Sequence, residues 1–348
     1  MKIYENEFYK EDLHKVAKLL PQKEFSILIT GATGLIGSFI VDTLLYANEF
    51  LGTNYTIYAM GRSKERLESR FPYAKNNSKL YFIEQDICES INEEIDVDYI
   101  INGASNADPK SYSLYPVETI LTNVLGTKNI LEFANKKKCK QVLFTSTMEV
   151  YGEDIKSESY TETDYGKINF NMVRSGYPES KRVAELLCKS YLLEYNVPSV
   201  IARLGYIYGP TMTKTDNKVV AQFIRSSIKK ENIILKSEGK QVRSYLYVAD
   251  TVSAIFSILF FGKSGETYNV SSSQSITSIR SMAEWFVKYR NTKLILEISN
   301  QTNTFVQNNI LDENKLRELN WEPFYNLEQG LQRTIQILES MESYKEIE

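Results

Sequence analysis

The segment "ITGATGLIG", Ile29 to Gly37, decides how this chain is read. Its glycines, Gly31, Gly34 and Gly37, have the spacing G-x-x-G-x-x-G. The apolar run before it, "FSILIT" from Phe25, has the character of a strand, and "LIGSFIVDTLLYA" from Leu35 that of a helix. Glycine lets the backbone turn sharply and leaves no Cβ in the way of an approaching phosphate. The start of the helix then offers free N–H groups and the positive end of a dipole to a pyrophosphate. A glycine motif alone is weak evidence; the strand before and the helix after supply the context of a dinucleotide-binding loop. Thr33, Leu35 and Ile36 share that loop and first helical turn, and are read with the glycines as cofactor-binding.

Outward from this loop, apolar runs alternate with helical patterns. "YTIYAM" (Tyr55–Met60), "KLYFIE" (Lys79–Glu84), "VDYII" (Val97–Ile101) and "QVLFTS" (Gln141–Ser146) read as further strands. A long helix, "VETILTNVLGTKNILEFANK" (Val117–Lys136), precedes the last of these. Another, "ESKRVAELLCKSYLLEY" (Glu179–Tyr195), leads into the strand "SVIARL". Such alternation implies right-handed crossovers and an α/β fold with a doubly wound parallel sheet. Residues 23–208 are assigned to this dinucleotide-binding unit. Beyond Gly209 the alternation weakens, and residues 209–348 read mainly as a smaller substrate-binding lobe, with some elements returning to the main sheet. Residues 1–22 read as an N-terminal extension with one extra helix.

The bulk composition bounds the function. A chain of 348 residues, 43% hydrophobic and 24% charged, is that of an ordinary globular protein with a sizeable core. A net charge of −3 gives no global field for nucleic acid or an anionic membrane, so neither is expected as a partner. The most basic run, "KKKCK" (Lys136–Lys140), is read as the solvated end of the long helix. Cys88, Cys139 and Cys188 are odd in number and widely spaced, which fits a reducing cytoplasm and neither a disulfide framework nor a metal site. One histidine, His14, is too little for a histidine-based metal site or triad. There is no signal-peptide-like apolar segment, and the longest apolar run, "VSAIFSILFFG", is far short of a membrane span.

The cofactor's ribose 2′-position is ambiguous. A 2′-hydroxyl usually meets an Asp or Glu at the end of the second strand. Here "AMGRS" places Gly61 and Arg62 there. Arg62 suits the 2′-phosphate of NADP, or else faces solvent over the adenine of NAD, which is the primary expectation. Asp86 and Ile87 follow the third strand, where such folds meet the adenine, and Ala104 follows the fourth.

"FTSTMEVYG" (Phe144–Gly152) ends the fifth strand, at the sheet edge where doubly wound folds bind ligands. Thr147 is therefore expected near the nicotinamide, with Ser146 as the competing hydroxyl. In "YPESK", helical spacing puts Tyr177 and Lys181 on one face, one turn apart. A tyrosine of pKa near 10 is a poor base at neutral pH. A lysine ammonium beside it favours the phenolate, and together with the nicotinamide charge it is expected to supply the roughly 4 kcal/mol that lowering the pKa by about three units takes. Thr147 would hold a substrate hydroxyl while Tyr177 takes its proton.

The glycine loop, Thr147 and the Tyr177/Lys181 pair, in this order, resemble the extended short-chain dehydrogenases/reductases of the NAD-dependent epimerase/dehydratase family, over nearly the whole chain. The resemblance implies a Rossmann domain, NAD or NADP, a nucleotide-diphosphate sugar as substrate, and a homodimer built through the long helix and the Tyr177 helix. It also implies chemistry through a transient C4 ketone. Several segments resemble UDP-glucuronate decarboxylases most: "ASNADPKSYSLYPVETILTNVLGTKNIL", "TDYGKINFNMVRSGYPESKRVAE", "KVVAQFI" and "KQVRSYLYVAD". By that resemblance Glu149, Asn169 and Arg174 face the sugar, Tyr206 and Val219 are substrate-binding, and Arg243 meets the diphosphate or a sugar acid. Glu149 is either a base near C5 or a hydrogen-bond acceptor.

Two departures stand out. Met148-Glu149 occupies the place of Ser-Glu in the decarboxylases and Asp-Glu in dTDP-glucose dehydratases. Methionine has no proton to give, which counts against 4,6-dehydration and weakens decarboxylation. Tyr206 stands where an Asn usually precedes Tyr-Gly-Pro, which leaves the nucleotide base open. The leading expectation is a decarboxylase-like enzyme. An epimerase, a 4-ketosugar-forming dehydrogenase or reductase, and a catalytically silent cofactor sensor are the alternatives.

Overall fold

The computed structural model describes residues 2–74, 77–91, 94–153, 158–298 and 309–341. A helix, α1 (Glu7–Ala17), precedes the first strand, β1 (Ser26–Thr30). From Ile27 on, every residue of β1 is buried, as a strand covered by helices on both faces requires. There follow α2 (Leu35–Phe50), β2 (Thr56–Gly61), α3 (Lys64–Arg70), β3 (Leu80–Glu84) and β4 (Tyr99–Asn102). Then come α4 (Pro109–Leu114), α5 (Pro116–Lys137), β5 (Gln141–Thr147), α6 (Gly176–Tyr195) and β6 (Ser199–Leu204). The strand and helix runs read from the sequence all appear.

The main sheet has seven parallel strands in the order β10-β6-β5-β4-β1-β2-β3, with β10 at Thr267–Val270. The winding direction reverses between β1 and β4, and this switch point opens a crevice at the strands' C-terminal ends. β10 lies well beyond residue 209, so this strand of the C-terminal part completes the main sheet.

The C-terminal part also holds β7 (Tyr206–Tyr208), α7 (Val219–Ile228), β8 (Ile233–Leu235), β9 (Val242–Tyr247) and α8 (Val248–Phe261). After β10 it adds β11 (Ile276–Ser278), α9 (Ile279–Arg290), β12 (Leu294–Leu296), α10 (Asn314–Arg317) and α11 (Leu327–Glu339). Two small sheets form there, β11-β9-β7 and β12-β8. Among the described residues no helix is long and apolar enough to cross a membrane.

Local chemistry explains the helix ends. Pro116 opens α5, where its missing N–H has no helical partner to lose. The "KKKCK" run closes that helix: Lys138 turns left-handed at φ 56°, and Cys139 N–H bonds back to the Ala134 carbonyl at 3.0 Å. The short helix α4 has no apolar period to announce it, and it is wedged between Pro109 and Pro116.

The N-terminal extension is part of the core. Asn6 caps α1 by accepting the Tyr9 N–H at 3.0 Å, and Tyr9, Leu13 and Val16 are fully buried. Asp12 on the same helix is also fully buried. It accepts hydrogen bonds from Tyr247 (2.7 Å) and Tyr325 (2.6 Å) and lies 2.8 Å from the Arg333 guanidinium. The three partners come from β9, the turn before α11 and α11. Burial pushes the Asp12 carboxyl up, and Arg333 and the two phenols pull it back. Asp12→Ala leaves two buried phenols without their acceptor and Arg333 with only the Phe8 carbonyl and Glu11, and is expected to cost about 3–5 kcal/mol. The check is urea unfolding, where the midpoint should fall at unchanged slope; a change within about 0.5 kcal/mol would show that the cluster carries no stability.

Candidate active site

The glycine loop turns where Gly31 adopts φ +67°, and a Cβ there would sit 2.9 Å from the Gly103 carbonyl oxygen. A Cβ on Gly37 would lie 2.4 Å from the Gly31 carbonyl, so α2 packs directly beneath the loop. Thr30 fastens the opposite wall: its Oγ1 accepts the N–H groups of Gly103 and Ala104 at 3.1 Å each and donates to Asn102 Oδ1 at 2.9 Å. Gly34 caps α2 with no side chain, and the N–H groups of the first turn have no partner within the helix.

This frame walls a cleft at the switch point. Gly31, Thr33, Gly34, Arg62, Asp86, Ile87 and Ala104 line it. Leu35, Ile36 and Gly37 do not; Leu35 and Ile36 pack on the core, and the Leu35 carbonyl accepts the Thr211 hydroxyl at 2.6 Å. Arg62 is bound to Glu118 of α5. Ser63, Arg66 and Asn106 also line the cleft and were not singled out by sequence, because Arg66 comes to it only through the turn into α3.

At the end of β5 the cleft meets a second cluster. Thr147 lies near enough to the Tyr177 phenol to pull its pKa down, and its hydroxyl caps the Met148–Tyr151 turn by accepting the Glu149 N–H at 3.3 Å. Lys181 Nζ donates to the Thr145 carbonyl at 2.8 Å and lies 4.6 Å from the Phe144 ring centre. Ser146, the competing hydroxyl, faces the other way: it donates to Glu185 at 2.6 Å, and Arg203 grips the same carboxylate. A relay of buried amides and hydroxyls ties the two clusters together. Ser105 of the cleft donates to Asn123 of α5 (2.8 Å), Asn123 donates to Ser180 (2.9 Å), and Ser180 donates to the Tyr177 carbonyl (2.8 Å).

The electrostatics differ from the sequence expectation. Lys181 was expected to make Tyr177 acidic. In the ligand-free protein, without the nicotinamide charge that the expectation also counted on, burial raises the Tyr177 phenol, Glu149 raises it further, and Thr147 only partly offsets them. Burial also lowers Lys181 to about 7, against the pull of Glu185. Desolvation is the largest influence on both groups.

Over Tyr177 lies a residue the sequence reading passed by. Tyr112 of α4 stacks on the Tyr177 ring with centroids 4.8 Å apart and an 11° tilt. Its hydroxyl donates to Glu149 at 3.4 Å, and Arg174 reaches both Glu149 (3.2 Å) and Tyr112 (3.4 Å). Burial raises the Glu149 carboxyl, while Arg174, Tyr112 and Arg243 hold it down. Arg243 stacks 4.5 Å from the Tyr206 ring centre, and its Nε has no hydrogen-bond partner among the described residues. Tyr206 accepts from Asn309 at 3.2 Å. Met148 points instead into an apolar cluster with Val150, Tyr151, Tyr160 and Leu311. Asn169 is exposed, its side chain accepting the Asn171 N–H at 3.1 Å, and Val219 opens α7 against the main core; neither joins the cluster.

The Lys181 environment has a pH signature. Its folded pKa lies below its ordinary value, so between the two the unfolded chain binds more protons and stability rises with pH. From about pH 7 to about pH 9 the ligand-free protein is expected to gain about 1–2 kcal/mol. Lys181→Met should flatten that slope in urea unfolding at stepped pH; an unchanged slope would refute the assignment.

The model of the "NAD dependent epimerase/dehydratase family" matches residues 27–271. UDP-glucuronic acid decarboxylase 1 of Arabidopsis thaliana is 33% identical over 315 residues, covering 90% of this chain and 70% of that protein. A dTDP-glucose 4,6-dehydratase from Bacillus anthracis, solved in complex with NAD, superposes with a TM-score of 0.77 at 25% identity, covering 92% of this chain and 98% of that one. A UDP-glucose 4-epimerase from Thermotoga maritima, solved with UDP-glucose, gives 0.76 at 26% identity, covering 90% and 98%. With a matching model over most of its length and a relative at this identity, the chain belongs to the NAD dependent epimerase/dehydratase family.

Proposed function

We propose that this protein is a nucleotide-sugar enzyme that works through a transient C4 ketone, with decarboxylation of UDP-glucuronate as the reaction. The observation that carries the reading is the junction of Thr147, Tyr177 and Lys181 with Tyr112, Glu149 and Arg174 at one end of the dinucleotide cleft. The decarboxylase relatives support it from the sequence side.

The glycine loop, Asp86 and Ile87 would hold a dinucleotide, read here as NAD with support from the dehydratase structure; Arg62 and Arg66 favour NADP as the second reading. When bound, the oxidised nicotinamide would supply a positive charge beside Tyr177 and a reversible hydride acceptor for sugar C4. Tyr177 removes the proton of the C4 hydroxyl while Thr147 holds that oxygen. The C4 ketone turns the C5 carboxylate into a β-keto acid, whose C–C bond breaks to carbon dioxide and an enolate. Glu149 gives the enolate its proton at C5; burial raises its carboxyl, and Met148 beside it has none to give. Tyr177 finally returns its proton to the C4 oxygen. Arg174 and Arg243, two cations around the single Glu149, suit a substrate with both a carboxylate and a diphosphate.

Epimerisation is the second reading. Met148 faces apolar neighbours, which leaves no polar group at the position after Thr147, and C4 inversion needs none there.

A homodimer is part of the proposal. Val117, Leu121 and Leu125 on α5 and Val183, Leu186 and Leu193 on α6 are exposed apolar residues on two helices that pack side by side. A second copy covering them would close a four-helix contact.

With UDP-glucuronate and NAD, carbon dioxide and a UDP-pentose are expected by NMR. Tyr177→Phe should slow turnover at least about a hundredfold. Inversion of a UDP-hexose with UDP-glucuronate left intact would select the epimerase, and turnover of neither would refute the function. Light scattering should give a dimer mass, and Leu186→Glu with Leu193→Glu should give a monomer; an unchanged mass would refute the interface.

A further inference from the structure

One ion pair at the cleft has no part in the reaction just described. Arg62 directly follows β2, and Glu118 lies in the first turn of α5. Their side chains are in direct hydrogen-bond contact. β2 and β4, which leads into α5, flank β1 on opposite sides, so the pair bridges the two sides of the glycine loop. Asn106, which lines the cleft, donates to the same Glu118 oxygen at 3.3 Å, so the carboxylate is held from two directions. An exposed pair of this kind adds little to stability. Its placement is what matters.

The end of β2 carries no acid to receive a ribose 2′-hydroxyl. Arg62 and Arg66 both line that side of the cleft. Ser63 is occupied in capping α3, where its hydroxyl accepts the Arg66 N–H at 3.2 Å. Asp86 uses one oxygen to accept the Cys88 N–H at 2.9 Å. Two cations beside the ribose would draw in a 2′-phosphate, except that one of them is already bound to Glu118. A guanidinium face that clamps one carboxylate does not clamp a phosphate at the same time.

We propose that Glu118 sets the choice between the two nicotinamide dinucleotides by holding Arg62. With the pair closed, one of the two cations on the 2′ side of the cleft is neutralised, which favours a hydroxyl there. A 2′-phosphate is taken only by drawing Arg62 away from Glu118, and then sits near an unpaired carboxylate. This rests on the proposed use of a nicotinamide dinucleotide, and deepens it by naming a specificity residue on α5 instead of β2.

The test is titration of the whole protein with NADH and with NADPH, followed by nicotinamide fluorescence. Glu118→Gln is expected to move the ratio of the two dissociation constants toward NADPH by about five- to tenfold. In an Arg62→Ala background the same change should move the ratio less than about twofold. A shift below twofold in Glu118→Gln alone, or an equal shift without Arg62, would overturn the proposal. Binding of neither dinucleotide to the unaltered protein would instead remove the underlying reading, and this one with it.

Discussion

The hydrogen bond from Lys181 to the Thr145 carbonyl fixes the reactive end of this molecule. It joins α6 to the last turn of β5, the two elements that carry Tyr177 and Thr147. The bond is short and buried, and the ammonium that makes it sits over an aromatic ring with little water nearby. A buried cation is costly, and its lowered pKa is the sign of that cost. The ligand-free pocket therefore holds a phenol that resists ionising beside an amine close to neutrality.

The second layer of the site redistributes charge. Glu149 is raised by burial, yet touched by Arg174 and Tyr112 and within the field of Arg243. Tyr112 does two things at once: its ring covers Tyr177, and its hydroxyl reaches Glu149. The stack excludes water from one face of the phenol, and the Tyr112 hydroxyl connects it to the Glu149 carboxyl, which burial raises. A sugar entering here would displace contacts among the protein's own side chains and inherit them.

Much of this was legible in the sequence, for local reasons. Glycines at fixed spacing, unbroken apolar strands and a Tyr four residues before a Lys each depend on only a few neighbours along the chain. That information sufficed for β1 to β6, the cleft lining around Gly31, and the pairing of Thr147 with Tyr177. What the sequence withheld depends on burial or on distant contacts. Helical spacing puts Lys181 beside Tyr177 but says nothing of how dry both become. Tyr112 sits in a six-residue helix between two prolines and reaches Tyr177 across 65 positions, so no period marks it. Asn169 has the right distance from Tyr177 in sequence, but its side chain serves its own turn. Met148 and Glu149 are adjacent, yet point to different neighbours because the tight turn after β5 rotates them apart.

The Asp12 cluster joins residues 313 positions apart, from the first helix to the turn before the last. The ribosome releases α1 long before its partners exist. Until Tyr325 and Arg333 emerge, a helix with a bare carboxylate on its apolar face has nowhere to bury it. Such long-range closure slows folding and leaves early intermediates sticky. β6 waits as well, since β10 beside it is made more than sixty residues later. Final consolidation of this fold consequently waits for α11, and a nascent copy stalled before Arg333 would be a substrate for chaperones.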